Sequence, residues 1–193
     1  MTKMWLSVRR PVLKLFDDCR GVAAIEFAMI VPLMLVLFFG TNEFSTGVAV
    51  DRKVTLMART LSDLTSQNIS VTDTQLTSFF AAGKSIMTPY SSTPVNSTIT
   101  ELYVDPVTKV ARVQWSKGST PLSGNVAIPT ALQVGDTYLI YSQVSYKFIP
   151  SVAWFINKLN GITLTDISYT RPRQSKCVDH LPLGAGILPC TPT

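Results

Sequence analysis

A single histidine, three cysteines and only 15% charged residues leave this 193-residue chain short of the groups that catalysis uses. It has no Gly-rich phosphate loop, no nucleophile set beside a base and no paired metal-ligand spacing, the arrangements on which hydrolases, transferases and metal sites rest. Its later acids, Asp73, Glu101, Asp105, Asp136, Asp166 and Asp179, are scattered beside turn residues or on expected solvent faces, and solvation is the expected fate of each. The chain is therefore expected not to be an enzyme and to carry no metal or cofactor. The net charge of +5 does not mark a nucleic-acid surface either. Residues 1–21 hold Lys3, Arg9, Arg10, Lys14 and Arg20 against Asp17 and Asp18, which is +3, and the remainder of the chain contributes only +2. No clustered basic face lies further on, so nucleic acid is not an expected partner.

The basicity stands in front of a long apolar run, Val22 to Phe39, 18 residues broken by one acid, Glu26. That length suits a membrane-spanning helix, and Lys and Arg before it hold a leader on the cytoplasmic side. A cleaved secretory signal would end in a small-x-small site, whereas this run ends Phe38-Phe39-Gly40-Thr41-Asn42-Glu43. A buried helix in a soluble core is the other alternative, opposed by the basic leader. Membrane insertion with the N-terminus inside and the rest exported is the expectation.

That orientation sorts the cysteines. Cys19 lies in the leader on the reducing side, while Cys177 and Cys190 fall in the exported tail, where a disulfide persists. Joining them closes a loop of about 14 residues, worth about 3 kcal/mol by chain entropy. The rival is a metal set of Cys177, His180 and Cys190, which offers three ligands without the paired spacing of a zinc motif. His180 is expected on the surface of a tail rich in Pro and Gly.

After the apolar run, Phe44, Val48, Val54, Met57, Leu61 and Leu64 continue at helical spacing among charged residues, which predicts one helix from about residue 22 to 66, about 68 Å long. Pro32 and Gly40 are expected bending points. Thr72-Asp-Thr-Gln75 has the form of a capping box and predicts a helix over about 73–86. Strand texture follows: Thr98 to Val104 and Ala111 to Trp115 as a hairpin through Asp105-Pro106, with Ala111, Val113 and Trp115 on one face, then Tyr138 to Phe148, and Ile162 to Tyr169. Val152, Phe155, Ile156 and Leu159 predict a short helix between the last two strands. Arg171-Pro172-Arg173 is expected to end the ordered domain. The fold class is α+β: a long N-terminal helix, half membrane and half amphipathic, with the latter half covering the one apolar face of a small antiparallel sheet. The expected organisation is a basic leader (1–21), a transmembrane helix (22–40), its amphipathic extension (41–68), an exported α+β domain (69–173) and a disulfide-closed tail (174–193).

An ionised Glu26 near hydrocarbon costs about 2 kcal/mol or more and asks for a partner. If a protease cuts after Gly21, Val22 acquires an α-amino group about 6 Å along the axis from Glu26. Pairing of that amine with the carboxylate of a neighbouring subunit offsets the burial of both charges and sets helix register. The plainer alternative is a Glu that pairs with its own helix start or protonates.

Arg20-Gly21-Val-Ala-Ala-Ile-Glu26-Phe27 resembles the processing site of type IV prepilins, which prepilin peptidase cleaves after the Gly. The longer stretch Gly21 to Leu64, with Ile25-Glu26-Phe27-Ala28, Val31-Pro32, Gly40, Glu43 and Ala58-Arg59, resembles the TadE/TadG family of tight-adherence pilus assembly proteins. The resemblance implies a pilin-like fold and an accessory (minor) pilin or pseudopilin of the bacterial inner membrane, with its C-terminal domain in the periplasm and possible incorporation in the pilus. It implies processing at Gly21 and Val22, helix registration through Glu26, Phe27 and Pro32, and partners in the membrane, prepilin peptidase, other pilin-like subunits and the assembly machinery. Major pilins of such systems carry Glu-Tyr where this chain has Glu26-Phe27, and are far shorter, which argues for an accessory subunit. The alternative is a single-pass membrane-anchored periplasmic binding domain without a pilus role.

Overall fold

The structure, a computed structural model, describes residues 20–150 and 161–182. The chain divides into two units at Ser45/Thr46. Helix α1, Arg20–Ser66, runs through that boundary with Pro32 inside it. In the first unit every residue from Gly21 to Gly40 is exposed except Val31, which is half-buried. Its other large apolar side chains, from Val22 to Phe39, are exposed.

In the second unit α1 becomes one-sided, as its spacing predicts. Val50, Val54, Met57, Ala58 and Leu61 are fully buried and join Ile99, Ile140 and Val144 of the sheet in one core, each large side chain contributing about 1.5–3 kcal/mol. Strand β1, Ser70–Thr72, leads into α2, Asp73–Ser85, whose expected capping box is formed. The Thr72 amide donates to Gln75 Oε1 at 2.9 Å and the Gln75 amide to Thr72 Oγ1 at 3.3 Å. Gly83 lets α2 approach α1 closely: a Cβ there would sit 3.1 Å from Leu61 Cδ2 and Met57 Cε.

The sheet is antiparallel, built from β2 (Val95–Val104), β3 (Ala111–Gly118), β4 (Asn125–Val126), β5 (Thr137–Phe148) and β6 (Ile162–Thr170), in spatial order β4-β3-β2-β5-β6. The α+β class, the long helix and the four predicted strands are as expected, with β4 added. Ser142, the exception in the apolar pattern of β5, is buried under the helix and donates to the Ala58 carbonyl at 2.5 Å.

Three expectations are corrected. The sheet has two apolar faces, not one: Leu102, Val104, Ala111, Leu139 and Tyr141 form a second core with Ile128, because the segment between β4 and β5 folds back over the face that alternation left for solvent. Trp115 does not share a face with Ala111 and Val113. Leu102 pairs with Val113 but Glu101 pairs with Trp115, so Gln114 is an extra residue, a β-bulge that turns Trp115 to the opposite side. There it joins the α1 core. Nor does order end at Arg173. The chain continues into β7, Asp179–Leu181, which pairs in parallel with β1 because Val178 is wholly buried in the main core. The helix predicted around Val152, Phe155, Ile156 and Leu159 lies outside the described residues.

Candidate functional site

Two places gather the chemistry-bearing residues. The first is the opening of α1. Gly21, Val22, Glu26, Phe27 and Pro32 all lie in the helix and on exposed surface. A Cβ on Gly21 would meet nothing within 4 Å, so the packing of the helix does not require glycine there. Val22, Ile25, Phe27, Met29 and Ile30 surround Glu26 with exposed apolar side chains. Pro32 removes one helical donor and frees the Ala28 carbonyl. The segment is long and apolar enough to cross a membrane by length and composition.

The second place was missed by the sequence reading. Glu101, expected in solvent, is only 2% exposed, and its Oε1 accepts the Val178 amide at 2.6 Å. The Val178 carbonyl in turn accepts the Trp115 indole N–H at 2.7 Å. His180, expected on the surface, is 6% exposed, packs against the Trp115 ring at 5.7 Å between centroids, and has Nε2 at 2.9 Å from Asp73 Oδ1. Lys117 Nζ reaches the same oxygen at 3.0 Å. The cause of both corrections is the tail, which lies across β2 and β3 and beside β1, so residues that look solvent-facing by position are covered. A signal was present: Val178 is an apolar residue in a polar stretch, between Cys177 and Asp179.

Burial pushes the Glu101 carboxyl up to about 8; the Val178 amide opposes the rise, the Asp179 charge adds to it, and the Trp115 indole opposes it. Hydrogen bonds from Lys117 and then His180 hold Asp73 below the usual carboxylate range. Through these bonds Glu101 and Asp73 tie the tail segment around Val178 and His180 to β2 and to the start of α2.

Cys177 is buried and disulfide-bonded, which takes its sulfur out of the metal set considered above. Cys190 and Cys19 lie outside the described residues. Among the described residues no group of three or more His, Cys, Asp or Glu is placed to hold a metal ion.

Comparison with known families bears on the first place. Residues 21–61 match the model of the TadE-like protein family. This segment is TadE-like. The matched span begins at Gly21 and ends at Leu61, in the buried stretch of α1. No curated protein and no solved structure matches the chain.

Proposed function

We propose that this chain is an accessory (minor) pilin or pseudopilin-like subunit in the assembly of a tight-adherence type IV pilus. One observation carries the reading: the TadE-like match over residues 21–61 takes in the exposed apolar part of α1, with Glu26 inside both. The helix anchors the chain once in the bacterial inner membrane, with the N-terminus cytoplasmic and the sheet domain periplasmic. Prepilin peptidase hydrolyses the Gly21–Val22 peptide bond, removing the basic leader and leaving an α-amino group on Val22.

Glu26 of one subunit then pairs with that amine on a neighbouring pilin-like subunit. The pairing satisfies two charges that hydrocarbon disfavours and sets the stagger of adjacent helices, while Phe27 and Pro32 shape the contact surface. N-terminal sequencing of the membrane-extracted protein is expected to begin at Val22; an intact Met1 removes the processing step. Glu26→Gln is expected to abolish pilus formation while leaving the domain folded. Undiminished pilus formation by that variant would leave only a plain membrane anchor.

A further inference from the structure

Residues 174–182 lie over the sheet as a strap. Their backbone attachments are the parallel β1–β7 pairing, the Asp179 amide donating to the Ile69 carbonyl at 3.1 Å and, at the strap's start, the Arg173 amide donating to the Ser66 carbonyl at 2.9 Å. Ion pairs flank these: Arg173 with Asp63, Lys176 with Asp136, and His180 with Asp73. Two attachments at Val178 differ in kind: its carbonyl accepts the Trp115 indole N–H at 2.7 Å, and its amide is held by a buried carboxyl, Glu101. We propose that residues 174–182 form a latch set by the protonation state of Glu101, closed while the carboxyl is neutral and loosened when it ionises.

The geometry says which side gives way. Glu101 sits in the middle of β2, with register partners Trp115 on one side and Ile140 on the other, so it cannot reach water without breaking the central sheet. The strap above it is held by a three-residue pairing, the Trp115 indole bond and flanking ion pairs that are largely solvent-exposed on one side and individually weak. Local opening of such an edge costs less than loss of the sheet. An ionised carboxylate therefore reaches water by displacing the strap.

Among the described residues no cation acts on Glu101. From the strap the charge acting on Glu101 is Asp179, of like sign. From β5 it is the phenol of Tyr138, and β3 presents the Trp115 indole as a donor. The fully buried residues of α1 are Val50, Val54, Met57, Ala58, Leu61, Ser62, Thr65 and Ser66, none of them ionisable. Lys117 is engaged with Asp73 at the start of α2. Opening bares the β1 edge, Val71 and the Trp115 ring.

Hydrogen exchange of the full chain in lipid nanodiscs tests the latch, comparing about pH 6 with about pH 9 after correction for intrinsic exchange rates. Protection of the Val178 and Asp179 amides is expected to fall about tenfold or more, while residues 138–148 keep theirs. In Glu101→Gln, whose amide oxygen still accepts from Val178, that fall is expected to vanish. Equal protection at both pH values, a parallel loss across 138–148, or an undiminished fall in Glu101→Gln would each overturn the proposal. Should that variant not fold, the wild type decides: the midpoint of strap opening must coincide with the Glu101 carboxyl titration followed by carbon NMR, and a midpoint elsewhere overturns it.

Discussion

Lys53 Nζ donates to the carbonyl oxygens of Ile86 and Thr88 at 2.8 Å each, so a cation carried by α1 closes the C-terminal end of α2. Helix ends leave carbonyls without intrahelical partners and favour positive charge. Lys53→Met keeps the aliphatic stem but removes both donors, and is expected to destabilise the domain by about 1–2 kcal/mol. Urea denaturation monitored by circular dichroism checks this. A midpoint equal to wild type would mean that water replaces the ammonium without loss.

Stability of the domain is expected to peak on the acid side of neutrality. Glu101 has a folded-state pKa raised from 4.5 to about 8, so its folded form binds the proton more tightly. Its contribution is complete below the unfolded value and is lost as pH rises through about 8, at about 1 kcal/mol per pH unit between the two. Asp73 and Asp105 act oppositely. Asp73 is lowered by Lys117 and His180, and Asp105 by the Thr108 and Val107 amides. Their stabilisation holds above the usual carboxylate range and disappears as pH falls through their depressed values. Thermal melts across pH should show the alkaline decline in wild type and a flattened one in Glu101→Gln; an unchanged decline in the variant would assign it to other groups.

The periodic elements were legible because a local pattern suffices for them. The capping residues Thr72 and Gln75 announced α2, the spacing of Val54, Met57 and Leu61 announced the buried stripe of α1, and Tyr138 to Phe148 announced β5. What escaped depends on pairing between distant segments. Gln114 as a bulge cannot be seen in an alternating string, since the extra residue shows only against β2, and with it went the placement of Trp115. Glu101 and His180 escaped for a related reason: their burial is caused by a tail about 80 residues downstream of Glu101, and β7 is too short for periodicity to declare it. The residues at the start of α1 were legible through their resemblance to a known pattern, which position and burial alone would not have singled out.

Gly21 separates a structural from a processing role. It lies within α1 with open space where a side chain would be, and replacing a helical glycine with Ala or Leu raises helix propensity by up to about 1 kcal/mol. Gly21→Leu is therefore expected to leave the domain and its membrane insertion intact while blocking removal of the leader. Intact-mass measurement of the purified variant should give the full-length chain. Recovery of a species starting at Val22 would show that the peptidase does not depend on this glycine.

The same cut bears on the disulfide. Cys177 is bonded, and the sequence offers only Cys19 and Cys190 as partners within one chain. On the proposed function, removal of residues 1–21 takes Cys19 away and the leader lies on the reducing side before that, so Cys190 is the partner expected in the mature protein. Cys190→Ser should then leave one thiol, on Cys177, that alkylates only after unfolding because its side chain is buried. Loss of the closed loop of about 14 residues should destabilise the domain by about 3 kcal/mol. Since β7 follows Cys177 by one residue, the same variant should expose the strap to trypsin at Arg173 and Lys176 sooner than wild type. A Cys190→Ser protein with no alkylatable thiol would place the bond elsewhere, on Cys19 or on a second chain, and would count against a cytoplasmic leader.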